Sequence, residues 1–481
     1  MATLSPLDLN NVQGDILEGL GKKNESFLFF RIKDGKASSF REHLRSFIPL
    51  VTSTTEAKAF HQTIRQGKKE AAKQGKQFPL IENSGVNISF SQTGLVALGI
   101  SDDIGDAGFK AGMVKDATDL GDDLAEWDDK FKTEIHGVIA VTANSEHVLE
   151  STFHKINRIF QVDCENATIE EVTLLAGHVR PGAESGHEHF GFNDGLSQPA
   201  VKDVDAGVTS EPGETPVRQG IILLGREGDN VQRPSWAVDG SFLCFRYLKQ
   251  LVPEFDAFLK ANALPVPRIR APEDPTGAEL LGARLVGRWK SGAPIDLTPL
   301  RDDPKLAHSQ NFHFDPKNQE RCPFAAHIRK TNPRSDLPAA AREIRRMIRR
   351  GIAFGPEVTH AEKKAKKSSD DEKLERGLLF VCYQANLDQG FQFMQKTWAN
   401  NPAFPPKADP TVAMPPVPTP GIDPIIGVGI GVPREMVGAS PNPAKANQTL
   451  DFSARWVIPR GGEYFFSPSI SALKNTFAAK R

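Results

Sequence analysis

The apolar run SFLFFRIK at 26–33 returns as SFLCFRYL at 241–248, a repeat that predicts two equivalent β-strands in a duplicated chain. Apolar residues follow at matched offsets. Phe40 and Leu44 lie 14 and 18 positions after Ser26, and Phe255 and Leu259 lie at the same offsets from Ser241. Each half therefore opens with a strand followed by an amphipathic helix.

In the first half, VNISF at 86–90, HGVIAV at 136–141 and EVTLLAGHV at 171–179 read as strands, and VLESTFHKINRIF at 148–160 as a helix with one apolar face. Two β-α-β units sharing an antiparallel sheet make a ferredoxin-like arrangement. In the second half GLLFVCYQ at 377–384 and EYFFS at 463–467 supply strands, and DQGFQFMQKTWAN at 388–400 a helix. The expected fold class is α+β, with two ferredoxin-like domains over 1–220 and 221–481. The turn-rich stretch 203–220 reads as a linker, and the charged run 360–377 and the Pro-rich segment 402–424 as solvated surface loops.

At 481 residues the chain exceeds what one core usually organises, which favours two domains. A hydrophobic content of 39%, with no apolar run long enough to span a bilayer, excludes membrane insertion. The net charge of -1 gives no general attraction to nucleic acid. Cys164, Cys244, Cys322 and Cys382 are too widely spaced for a Cys-x-x-Cys zinc knuckle or for covalent haem attachment. The opening MATLSPLDLNNVQGDILEGL has neither a basic nor an apolar leader region, so no signal peptide is visible. Asn24, Asn87, Asn166 and Asn447 each begin a glycosylation sequon. The expectation is a secreted mature form rather than a cytoplasmic protein.

Three clusters carry candidate chemistry. HEHFGFNDGLSQPA at 187–200 follows a predicted strand and gathers ionisable and turn residues, although an Asp-Gly pair is usually only a turn. In RCPFAAHIRKTNPR at 321–334, His327 follows a small apolar run and precedes Arg329, Lys330 and Arg334. Such a histidine is more often structural, yet an apolar approach with cations beyond suits haem, whose iron takes an imidazole and whose propionates take positive charge. His308 and His313 lack that setting. In MIRRGIAFGPE at 347–357 an Arg pair closes what reads as a helical stretch, where cations also serve as ordinary caps.

Together these clusters resemble the dye-decolorizing peroxidase family in content, order and spacing, most closely its large fungal members. The family's Gly-x-x-Asp-Gly motif is matched by Gly191, Phe192, Asn193, Asp194 and Gly195, its axial histidine by His327, and its distal arginine by Arg349, with Arg350 the alternative. The resemblance runs from NVQGDILEG at 11–19 to GGEYFFSPS at 461–469. It implies one non-covalent haem b between the sheet and helices of the C-terminal half. It also implies reduction of hydrogen peroxide, with oxidation of dyes, phenols and other aromatic donors through ferryl intermediates, by a monomer or weak homo-oligomer. A haem carrier or sensor of the same fold is the alternative.

By the same resemblance Asp194 relays the peroxide proton and Arg349 stabilises the leaving hydroxide, which implies an acidic optimum because a carboxylate works at lower pH than an imidazole. Arg329 is expected at the propionates. Asp388, in NLDQGFQF, resembles the acid behind the axial histidine, or else caps the helix that follows. Leu378 and Phe380 resemble residues walling the distal pocket, and core packing explains them equally well. Trp398 resembles the surface tryptophan that carries electrons to bulky donors in some fungal members, or simply buries its ring. Phe354 stands where some relatives have a tyrosine.

Overall fold

The computed structural model describes residues 6–480 apart from Leu80, Asp163, Ile430, Ala446 and the segments 205–215, 267–274 and 406–418. Most of the expected linker at 203–220, and part of the Pro-rich segment, lie outside the described residues. The strands are β1 (Asn24–Ile32), β2 (Ser84–Phe90), β3 (Gly137–Ala143), β4 (Ile169–His178), β5 (Ser241–Gln250), β6 (Ile348–Arg349), β7 (Ile352–Phe354), β8 (Gly377–Gln384), β9 (Glu435–Val437), β10 (Thr449–Asp451) and β11 (Val457–Ser467). One antiparallel sheet runs β4-β1-β3-β2-β11-β5-β8-β6, with β7 also on β8, and β9 pairs β10 apart from it.

The repeat in the sequence is a repeat in this order. The first half contributes β4-β1-β3-β2. The second contributes β11-β5-β8 followed by β6 and β7, which share one neighbour and act as one interrupted strand. Each half is thus ferredoxin-like. They join where Phe90 of β2 meets Phe466 of β11. At the far edges β4 comes against β7 so closely that a Cβ on Gly177 would fall 2.4 Å from Ile352 Cγ2. The sheet therefore curls into a barrel.

Aromatic side chains fill the interior. Phe29 of β1 packs at 4.8 Å from Phe245 of β5 and 6.1 Å from Phe465 of β11, so residues from both halves build one continuous core. Helices Ala37–Phe47 and Glu146–Phe160 cover the outside of the first half through Phe40 and Phe160, whose rings stack at 5.4 Å. Among the described residues of the second half, no packed helix pair closes this part of the outer face of β5 and β8. Arg246, Leu248, Leu378 and Phe380 instead face a cavity, with Val286, His327 and Met394 from short helices on its other walls.

Three expectations are corrected here. Ile348 and Arg349 form a strand rather than a helix end, because β8 offers them a pairing edge. The helix expected from Asp388 starts only at Phe391, with Gly390 at its N-cap position, so Asp388 does not cap it. The segments read as solvated loops are partly buried: Ile422 and Asp423 are fully enclosed, and Glu362 is buried against Arg376.

Candidate active site

The loop bearing Asp194 needs left-handed backbone at both motif glycines, Gly191 at φ 89° and Gly195 at φ 77°, which side chains rarely tolerate. Glu188 braces it from within. Its buried carboxylate accepts from the backbone N–H of Phe190 at 2.9 Å and Phe192 at 2.8 Å, and burial raises its pKa. His189 donates Nε2–H to the Phe354 carbonyl at 2.8 Å, tying the loop to β7. Burial pulls this imidazole down to about 4, so it remains neutral.

Arg349 is placed by its strand. Adjacent residues on an extended chain point to opposite sides. Arg349 turns to the cavity while Arg350 turns away to donate to the carbonyls of Asp15 and Leu17, both at 2.8 Å. The Gln198 amide grips both backbone groups of Arg349, accepting from N–H at 2.9 Å and donating to the carbonyl at 3.0 Å. So held, Arg349 donates Nη1–H to Asp194 Oδ1 at 3.1 Å and Nη2–H to the Leu196 carbonyl.

His327 stands at the start of the short helix His327–Thr331 and lines the same cavity. Its Nδ1 lies 2.8 Å from Asp423 Oδ2, leaving Nε2 for the cavity. Burial lowers the imidazole pKa, but attraction to Asp423 and the hydrogen bond outweigh it and hold the pKa above the ordinary value. Asp423 is fully enclosed. Burial alone would raise its pKa, yet His327 and the N–H groups of Ile425 at 2.8 Å and Ile426 at 3.0 Å lower it, so it stays ionised.

This geometry corrects the assignment of Asp388, an exposed residue of a turn whose carboxylate contacts Gln389. Asp423 was hidden in the segment read as a Pro-rich loop. A lone acid inside GIDPIIG was the available signal. Arg329 is likewise corrected: it is buried away from the cavity, paired to Asp336 at 2.7 Å and donating to the Cys322 carbonyl. The cations that do line the cavity include Arg334 and Arg288, which converge on Gln310 Oε1 at 3.0 and 3.1 Å. Burial and the nearby Arg349 push the Arg288 guanidinium down to about 10, a sign of concentrated positive charge.

Leu378 and Phe380 both line the cavity. Trp398 is corrected as a surface residue. It is 4% exposed, its ring stacked at 4.8 Å and 6° on Phe404 and set edge-on to Phe393 at 5.6 Å.

The whole arrangement occupies a cavity of about 270 Å³ with mainly apolar walls, lined by Asp194, Arg349 and His327. A family model described as the DyP dimeric alpha+beta barrel domain matches residues 11–181, and one described as Dyp-type peroxidase, C-terminal, matches 189–404. The chain belongs to the dye-decolorizing peroxidase family. A dye-decolorizing peroxidase of Mycena epipterygia is 45% identical over 98% of this chain and 88% of its own length. An ancestral D-type dye-decolorizing peroxidase superposes with a TM-score of 0.89 at 51% identity, covering 99% of this chain and 100% of that one. A dye-decolorizing peroxidase in complex with 2,6-dimethoxyphenol gives 0.83 at 44% identity, covering 98% and 100%.

This chain is therefore a peroxidase of the dye-decolorizing type, in a family of haem enzymes. The cavity fits the group. It offers an imidazole nitrogen not engaged by Asp423, mainly apolar walls, and arginines suited to carboxylates. Among the described residues no helix of the peroxidase is long and apolar enough to cross a membrane.

Proposed function

We propose that the peroxidase takes one non-covalent haem b, which His327 Nε2 would hold through its iron, Arg334 and Arg288 would hold through its propionates, and Leu378 and Phe380 would pack beside. The observation that carries this reading is the Asp194–Arg349 pair, at 3.1 Å, in the same cavity as an imidazole already braced by Asp423 at 2.8 Å. When bound, haem supplies the iron that takes peroxide and holds its oxidising equivalents.

Asp423 accepts the Nδ1 proton of His327 and gives the ring more imidazolate character, which favours an electron-rich axial ligand. With haem bound, Asp194 would take a proton from peroxide and return it to the leaving oxygen, while the Arg349 guanidinium would meet the charge that develops there. A carrier or sensor would not need this acid and cation on the open side. Addition of peroxide to haem-loaded protein, followed by stopped-flow absorbance, tests the reading. Rapid loss of the resting spectrum in wild type, with slow loss in Asp194→Asn, is expected, and equal rates would overturn the role of Asp194.

Trp398 is our proposed relay to bulky donors, reached through Phe404 rather than directly from solvent. We propose a secreted monomer or weak homo-oligomer. Asn166 and Asn447 are exposed sequons, whereas Asn87 is buried and donates to Thr52. The exposed large apolar residues among those described are three, Val96, Leu174 and Leu300.

A further inference from the structure

The pairing of β5 with β8 sets Cys244 directly opposite Cys382. Facing residues of an antiparallel pair share one face, with Cα atoms about 4.5 or 5.5 Å apart. A disulfide spans roughly 4.4–6.8 Å. Both cysteines are free and fully buried. Neither Cys164, which is exposed, nor the buried Cys322 lies opposite another cysteine in the sheet.

The pair belongs to a longer row. Cys382 is the register partner of Arg349, and Cys244 that of Tyr464. Two positions along the same strands, Phe380 and Arg246 line the cavity, a distance of about 7 Å at the rise of an extended chain. The thiols therefore sit just behind the cavity wall, beside the arginine that faces peroxide. Burial pushes the Cys244 thiol well above its ordinary range. Thiolate is scarce there, which suppresses direct attack on peroxide.

We propose that Cys244 and Cys382 are an internal electron donor, closing a cross-strand disulfide when the peroxidase consumes peroxide without an external donor. This rests on the reading of the cavity as the haem site. Overall, two S–H bonds and the O–O bond of one hydrogen peroxide break, and one S–S bond forms. The two thiol hydrogens leave with the peroxide oxygens as two waters. Sulfur is oxidised, peroxide oxygen is reduced, and the electrons pass through the haem site. The pair thus discharges oxidising equivalents that would otherwise damage the site.

The test gives pre-reduced holoenzyme a small excess of hydrogen peroxide with and without a phenolic donor, then alkylates it under denaturing conditions for mass analysis. Without donor, alkylatable thiols should fall from the four of the chain to two, with a mass lower by two hydrogens and a linked peptide pair containing Cys244 and Cys382. With donor, and in apoprotein given the same peroxide, all four should remain. Retention of four thiols in donor-free holoenzyme, oxidation confined to Cys164, or equal linkage in apoprotein would overturn the proposal. Cys382→Ser should keep the haem absorption band, form no linked peptide and bleach at fewer peroxide equivalents than wild type, and bleaching equal to wild type would also overturn it. A wild-type protein that takes up haem without such linkage leaves the haem reading standing, whereas one that takes up none removes both.

Discussion

Asp423 Oδ2 lies 2.8 Å from His327 Nδ1, joining two residues 96 positions apart in a contact buried from solvent on the aspartate side. It fixes which ring nitrogen of His327 faces the cavity, and with it the direction from which an iron can be bound. His327→Ala should lose most bound haem. Asp423→Asn should keep the fold but weaken haem binding by roughly 10-fold to 100-fold, the usual scale for a lost partner of a metal ligand. Haem titration followed by absorbance checks both, and full occupancy in His327→Ala would remove the axial assignment.

Asp194→Asn should retain haem yet react with peroxide about 10² to 10⁴ times more slowly, the scale of lost acid-base assistance. Arg350→Gln, altering a side chain that faces Asp15 and Leu17, should slow the reaction far less than Arg349→Gln. Stopped-flow rates on the three variants decide between the neighbouring arginines.

Trp398→Ser should lower turnover of a large dye sharply while sparing the peroxide reaction and oxidation of a small phenol. Because Trp398 is covered by Phe404, Phe404→Leu should reduce dye turnover in the same direction. Paired steady-state kinetics on the two donors separate this from a general loss, which would affect both donors equally.

The buried Glu362–Arg376 pair should set part of the acid limit of the fold. Burial alone would raise the Glu362 carboxyl pKa, but Arg376, the N–H groups of Thr359 and Ser369, and the Thr359 hydroxyl bring it down to about 2. A depressed carboxyl contributes stability that is complete above its ordinary pKa of 4.5 and fades as pH falls toward about 2. Glu362→Gln should therefore lower Tm at pH 7. The gap to wild type should close progressively below pH 4.5, and a gap independent of pH would show that the ion pair carries none of this dependence.

Sequence alone determined the elements whose signal is local. The repeated SFLFFRIK and SFLCFRYL runs each bury a strand among aromatic neighbours, and their helices bury Phe40 and Phe255 by the same spacing. Asp194 and His327 were singled out by the resemblance of their motifs to the family's, and both line the cavity. What local pattern left undecided were the choices made between distant segments. Asp423 rather than Asp388 became the partner of His327 because burial of GIDPIIG against the helix at 327–331 brings it there, a consequence of packing that no local pattern encodes. Arg349 rather than Arg350 faces the cavity because β8 pairs with Ile348 and Arg349 and fixes the alternation. Arg329 was drawn into a buried pair with Asp336, leaving Arg334 and Arg288 in the cavity, and Trp398 was covered by Phe404. Periodicity fixes which faces are apolar, whereas the partner of each buried charge is settled only when the layers close and each charge must find a counter-charge or hydrogen bond out of water.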